Sequence, residues 1–303
     1  VHDPDPWLLV YDGFDPALEG RRETLLALGN GYFVTRGAAA EARADGVHYP
    51  GTYLAGGYNR LVSTIDDRLV EHEDLINLPN WLPLTFRIDS GEWFGPEAVE
   101  ILAYRQTLDL RRGLYGRTVR FRDPQGRETR VMERRFVHMG ESHLAGQHVF
   151  IHADNWSGRL TVRVLLDGEV TNAGVARYRP FEERHLRVRR TATPSPEIAL
   201  LEAETTQSQL RITEAARIRV ASSRTMGSID RRPVLEPARA GHEIELQLNT
   251  GGRVGVEKIL ALYTSRDRGS ADSVTEAQTA VERAGTFDEL LESHALAWEH
   301  LWK

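Results

Sequence analysis

Thr118-Val119-Arg120-Phe121-Arg122, then Asp123-Pro124-Gln125-Gly126, then Thr129-Arg130-Val131-Met132-Glu133-Arg134-Arg135-Phe136 reads as strand, turn, strand. Both arms alternate between apolar and charged side chains, the period of a half-buried strand. Asp, Pro and Gly in the turn each favour a reversal, through a side-chain acceptor, a fixed φ and a free φ. The pattern continues outward through Gly146–Ile151, Arg159–Leu166, Leu186–Arg190, Ala199–Glu204, Leu210–Thr213, Ile218–Ser222, His242–Leu248 and Gly255–Tyr263. A spacing of roughly a dozen residues predicts a mainly β fold, a large antiparallel β-sandwich with its alternate arginines turned to solvent.

The character changes near Ser265. Ser273-Val274-Thr275-Glu276 and Thr286-Phe287-Asp288-Glu289 each fit a capping box and each predicts a helix start. In the second helix Phe287, Leu290, Leu291, Ala295, Trp298, Leu301 and Trp302 form one apolar stripe. The predicted division is therefore a β-sandwich over 1–265 and a helical linker over 266–303. Trp298, Leu301 and Trp302 in the last turns have two readings: they fold back onto the sandwich, or they dock on a further domain.

Composition narrows the function classes. A net charge of −6 gives no support for nucleic-acid binding, and 41% hydrophobic residues suffice for a core. Cysteine is absent, which excludes disulfides and thiolate chemistry and suits a cytoplasmic protein. No apolar run approaches the roughly 20 residues that span a bilayer, and the first residues lack the pattern of a signal peptide. The sequence has no Walker A motif, no Gly-x-Ser-x-Gly elbow and no metal-ligand spacing of the His-Glu-x-x-His kind, so no metal or cofactor is expected. The Glu71-His72-Glu73-Asp74 cluster reads as a solvated loop, and His138, His143, His148 and His152 as polar positions of a hairpin.

Glu23–Gly37, ETLLALGNGYFVTRG, reads as a helical turn, a reversal at Gly29-Asn30-Gly31 and a strand from Tyr32. Residues 30–81 are dense in groups that hold sugars: aromatic faces for C–H surfaces, and planar polar groups for pairs of hydroxyls. The candidates are Asn30, Tyr32, Arg36, His48, Tyr53, Asn59 and Trp81. Equally, they are core or domain-interface residues. No catalytic residue is assigned.

The 23–37 stretch, with His48-Tyr49-Pro50-Gly51-Thr52-Tyr53-Leu54-Ala55-Gly56 after it, resembles the start of glycoside hydrolase family 65, the maltose, trehalose and kojibiose phosphorylases and related hydrolases. Asn77-Leu-Pro-Asn-Trp-Leu-Pro83, Leu108-Asp-Leu-Arg-Arg-Gly113, Arg134-Arg-Phe136, Asn155-Trp-Ser-Gly158 and Leu166-Asp-Gly-Glu-Val170 continue the resemblance in order. His138 stands where the family pattern tends to have Ser. The resemblance implies a galactose-mutarotase-like super-sandwich, followed in the family by an (α/α)6 barrel that carries the catalytic carboxylate and lies beyond residue 303. It further implies an inverting parent enzyme that cleaves an α-linked glucose disaccharide with inorganic phosphate or water. The partners it implies are that catalytic domain, the disaccharide and a second subunit of a homodimer. The rival readings are a stand-alone carbohydrate-binding module and an aldose mutarotase-like enzyme.

Overall fold

The computed structural model describes residues 5–172, 183–267 and 272–303. In chain order come β1 (Leu8–Asp12), α1 (Pro16–Leu25), β2 (Leu28–Gly29), β3 (Phe33–Thr35), β4 (Thr52–Leu54), β5 (Tyr58–Ile65), β6 (Arg68–Leu75), β7 (Leu84–Ile88), β8 (Glu100–Asp109) and β9 (Leu114–Arg122). There follow β10 (Glu128–Val137), β11 (Leu144–Ala153), β12 (Gly158–Asp167), β13 (Leu186–Ser195), β14 (Ile198–Thr205), β15 (Arg211–Glu236), β16 (Arg239–Thr264), α2 (Ser273–Arg283) and α3 (Phe287–Trp302). The hairpin read from sequence is β9–β10, with Val119 opposite Val131 and Gly126 at φ +81° in its turn.

Eleven strands form one antiparallel sheet in the order β1-β8-β9-β10-β11-β16-β15-β14-β13, with β12 pairing both β16 and β7. The sheet becomes a sandwich through β15 and β16, each 26 residues long. The C-terminal part of β16 pairs with β11, while its N-terminal part pairs with β12. Four separate short strands are expected here from sequence; the structure joins them into two. Register slips between Ser223 and Thr225 and between Met226 and Asp230 let the ladder bend without ending. Val119, Phe121, Val131, Val149, Ile151, Leu160, Val162, Ile244 and Val256 fill one core between the layers.

A second, smaller core lies where α2 and α3 cover the other face of the sheet. There Phe136, Leu144, Ile259 and Ala261 meet Ala277, Val281, Phe287, Leu290 and Leu291. Thr286 forms the capping box with Glu289 at the start of α3. The start of α2 differs from its reading: Asp272 is the N-cap, and Ser273 Oγ turns instead to Thr213 Oγ1 at 2.9 Å. Arg217 of β15 closes the other end of α2, donating to the carbonyls of Val281, Ala284 and Gly285 at 2.7, 2.6 and 2.6 Å. A cation that satisfies last-turn carbonyls does the work of a glycine cap.

Candidate functional site

The candidates between 30 and 81 are held by internal bonds. Asn30 follows the two-residue β2; its Oδ1 accepts from Tyr32 N and Phe33 N, and its Nδ2 donates to the carbonyls of His138 and Ser142 at 2.9 and 2.8 Å. Gly31 takes the left-handed φ of +87° that completes the turn. The Tyr32 hydroxyl donates to both oxygens of Asp267, and burial and that carboxylate push its pKa up. Arg36 donates to Gly20 O at 3.0 Å and lies over the Tyr49 ring. Tyr53 is placed in β4, its phenol pKa raised by burial. Trp81 is fully buried.

His48 Nδ1 bonds Glu23 Oε1 at 2.7 Å, and that bond raises the imidazole pKa above its ordinary value. The other Glu23 oxygen accepts from Tyr49 N at 2.9 Å. Both carboxylate oxygens are thus engaged in fastening the 45–51 loop to α1.

Asn59 joins the separate β5–β6 hairpin to the rest of the molecule. Its Oδ1 accepts from Gln207 N and Ser208 N at 3.0 and 2.9 Å, which fixes the amide orientation. Its Nδ2 then faces Thr206 Oγ1 and, at 3.1 Å, His185 Nδ1. Because Nδ2 is a donor, His185 Nδ1 accepts and the ring proton sits on Nε2, 3.5 Å from Asp74 Oδ2. His72 Nε2 lies 3.3 Å from the same oxygen.

Among the described residues, His72, Asp74 and His185 bring their ligand atoms within 4.8 Å of one another. A cation on His185 Nε2 would displace its proton to Nδ1, against the Asn59 donor. The hydrogen bonds therefore make this group a polar clasp. The solvated loop read at 71–74 is instead strand β6, and its partner His185 lies 113 residues on from His72, beyond any local spacing rule.

The other sequence motifs are braces as well. Asn77 Oδ1 accepts from Thr52 N at 3.0 Å, and Asn80 and Asp167 exchange backbone bonds, tying 77–83 to 166–170. Lys258, fully buried, donates to the carbonyls of Trp81, Pro83 and Leu165, and burial lowers its pKa to about 7. Trp156 Nε1 donates to Thr129 Oγ1 at 3.0 Å. His138 Nδ1 accepts from Gly140 N and Glu141 N, so its Nε2–H donates to Ser293 Oγ, the wrong direction for a base that activates a serine.

The end of α3 divides between both readings. Trp298 is half-buried against Gly113. Trp302 donates its indole N–H to Arg111 O at 3.0 Å and meets the Trp7 ring edge-on at 4.9 Å, yet stays 49% exposed. Leu301 and Leu296 are 62% and 53% exposed. Sequence reasoning passed over a cavity of about 400 Å³ beside Trp93, lined also by Glu41 and Arg117. A tryptophan between Gly91 and Gly95 in a loop was the available signal.

Comparison with known proteins places the chain. The family described as "Glycosyl hydrolase family 65, N-terminal domain" matches residues 9–301. An uncharacterized glycosyl hydrolase of Mycobacterium tuberculosis is 42% identical over 303 residues, covering 100% of this chain and 23% of that protein. The kojibiose phosphorylase of Caldanaerobacter subterraneus is 28% identical over 302 residues, covering 98% of this chain and 38% of its own length. The trehalose 6-phosphate phosphorylase of Lactococcus lactis is 28% identical over 297 residues, covering 98% and 36%. A solved structure of a proposed kojibiose phosphorylase from the human microbiome superposes with a TM-score of 0.83 at 19% identity, over 99% of this chain and 38% of that one. The chain thus spans between 23% and 38% of the length of these relatives.

Proposed function

This chain belongs to glycosyl hydrolase family 65, as its N-terminal domain, and from that premise we propose that it is the non-catalytic scaffold of a longer enzyme that cleaves an α-linked glucose disaccharide. The observation that carries the reading is the fate of the motif residues: Asn30, Asn77, Asn80 and Asp167 bind other parts of the same sandwich, and Gly113 admits Trp298 of α3. Each is engaged without any substrate. In the longer polypeptide a general-acid carboxylate outside residues 1–303 protonates the glycosidic oxygen, and phosphate or water attacks C1 from the opposite face. The C-terminal end of α3, with Leu301 and Trp302, docks on that catalytic domain, in keeping with large apolar side chains left in water at one place. A homodimer and a cytoplasmic location belong to the same reading.

The carbohydrate-binding-module alternative predicts sugar affinity in the chain alone; Asn59 and Trp81 are buried, while Asn30, Tyr32, Arg36, His48 and Tyr53 are partly buried. The test is direct. The purified chain, incubated with kojibiose, trehalose or maltose and inorganic phosphate, is expected to release no glucose 1-phosphate and no glucose. Release that persists through successive purification steps and tracks the protein would refute the proposal.

A further inference from the structure

The cavity beside Trp93 lies apart from every residue so far given a role, except His48 at its margin. Its volume of about 400 Å³ falls within the range of roughly 300–1,000 Å³ seen for small-molecule sites. Arg117 forms part of its lining, paired with Glu41 through two parallel bonds of 2.7 and 2.5 Å. Such a fork–fork pair is planar, with its polar atoms turned to each other, and it fixes that part of the lining. One wall is Trp93, whose ring packs over the guanidinium groups of Arg87 and Arg163 at 4.8 and 4.3 Å. Arg163 stands opposite Thr85, two residues from Arg87, so both cations project from the same face of the β7–β12 pair. The half-exposed indole thus rests on a fixed base beside the cavity.

Charge decides the class of ligand. Glu41–Arg117 and His48–Glu23 are neutralised within the protein. Asp45, Glu92 and Glu97 at the exposed rim form no ion pair among the described residues, and two cations, Arg43 in the lining and Arg87 under the indole, are set against these three carboxylates. This excess of carboxylates repels anions. A polar cavity with one aromatic wall suits a molecule with alternating C–H and hydroxyl surfaces. A second cavity, of about 340 Å³, shares Glu41, Ala42, Arg43 and Thr85 with the first, so a chain of more than one ring has room to continue.

We propose that this cavity is a binding site for a neutral saccharide, with Trp93 as its stacking wall and the exposed carboxylates of Glu92 and Glu97 as its hydroxyl acceptors. The proposal rests on the cavity and not on the scaffold role, so either can fail alone. Titration calorimetry of the chain with millimolar maltose and, separately, glucose 6-phosphate tests it. Maltose is expected to give a saturable isotherm that Trp93→Leu weakens about tenfold, equivalent to about 1.4 kcal/mol. Glucose 6-phosphate is expected to bind less well than maltose. The double rim variant Glu92→Gln/Glu97→Gln touches only exposed side chains, keeps the fold and is expected to weaken maltose severalfold; it decides the matter if Trp93→Leu does not fold. No saturable heat with maltose, binding unchanged in the variants that fold, or tighter binding of glucose 6-phosphate would each overturn the proposal.

Discussion

Replacing Gly113 by Ala probes how the β-sandwich and the last helix are joined. Gly113 ends the Leu108–Gly113 motif at φ +54°, and a Cβ built there would stand 2.7 Å from Trp298 Cε2. Two costs follow. The left-handed backbone costs an L-residue about 1–2 kcal/mol. The indole must also shift, and it is flanked by Trp302 at 5.6 Å and His294 at 6.4 Å, so overpacking adds about 1–3 kcal/mol. Gly113→Ala should therefore lower the unfolding free energy by about 2–5 kcal/mol, read from urea melts followed by tryptophan fluorescence. In a Trp298→Ala background the clash is gone and only the backbone term of about 1–2 kcal/mol remains. The double-mutant cycle should thus show that Trp298→Ala relieves part of the Gly113→Ala cost. Equal costs in both backgrounds, or a single-variant loss below about 0.5 kcal/mol, would refute the close contact between loop and helix.

Lys258→Met keeps an unbranched side chain one atom shorter and leaves the carbonyls of Trp81, Pro83 and Leu165 without their shared donor; a loss of about 2–4 kcal/mol is expected in urea melts, and a neutral or stabilising result would show that the buried amine is not the brace of the 77–83 loop. His294 has its pKa lowered to about 4 by burial, then by His138. Its unfolded form takes up a proton near pH 6.5, so stability should fall as pH drops from about 6.5 and level off near 4. His294→Asn should flatten part of that slope in pH-dependent melts, whereas an unchanged slope would remove His294 from the acid response. Asn59→Ala removes the clasp on the β5–β6 hairpin. Amides of 58–75 should exchange at least about tenfold faster while the β9–β10–β11 amides do not, and uniform exchange would contradict a locally anchored hairpin.

What the sequence disclosed was what local chemistry encodes. The Asp123–Gly126 turn and the Thr286 capping box carry their reasons within four residues, and both stand in the structure. The long ladders of β15 and β16 read as four segments: the β16 break at 249–254 lies opposite the bulged part of β15, whereas 214–217 of β15 pair without a shift and lack only an alternating pattern. Ser273 begins a Ser-x-x-Glu pattern and so reads as a cap; Asp272, one residue earlier, is the stronger anionic acceptor at a helix N-terminus. Asn30, Tyr32 and Asn59 were recognised as polar groups needing partners, but those partners lie 108, 235 and 148 residues away. Sequence spacing cannot tell such a residue from one reserved for a ligand. The cavity beside Trp93 is assembled from α1, the 41–48 loop, the 92–97 loop and β9, and no single segment announces it.

On the function proposed above, this domain braces and docks, and the chemistry lies outside residues 1–303. A crystal structure of the longer polypeptide with a glucose disaccharide bound tests it most directly. Leu301 and Trp302 are expected to be covered by the catalytic domain, and the carboxylate within hydrogen-bond reach of the glycosidic oxygen to come from outside residues 1–303. A carboxylate from within this chain at that oxygen, or an α3 end still open to solvent, would contradict it.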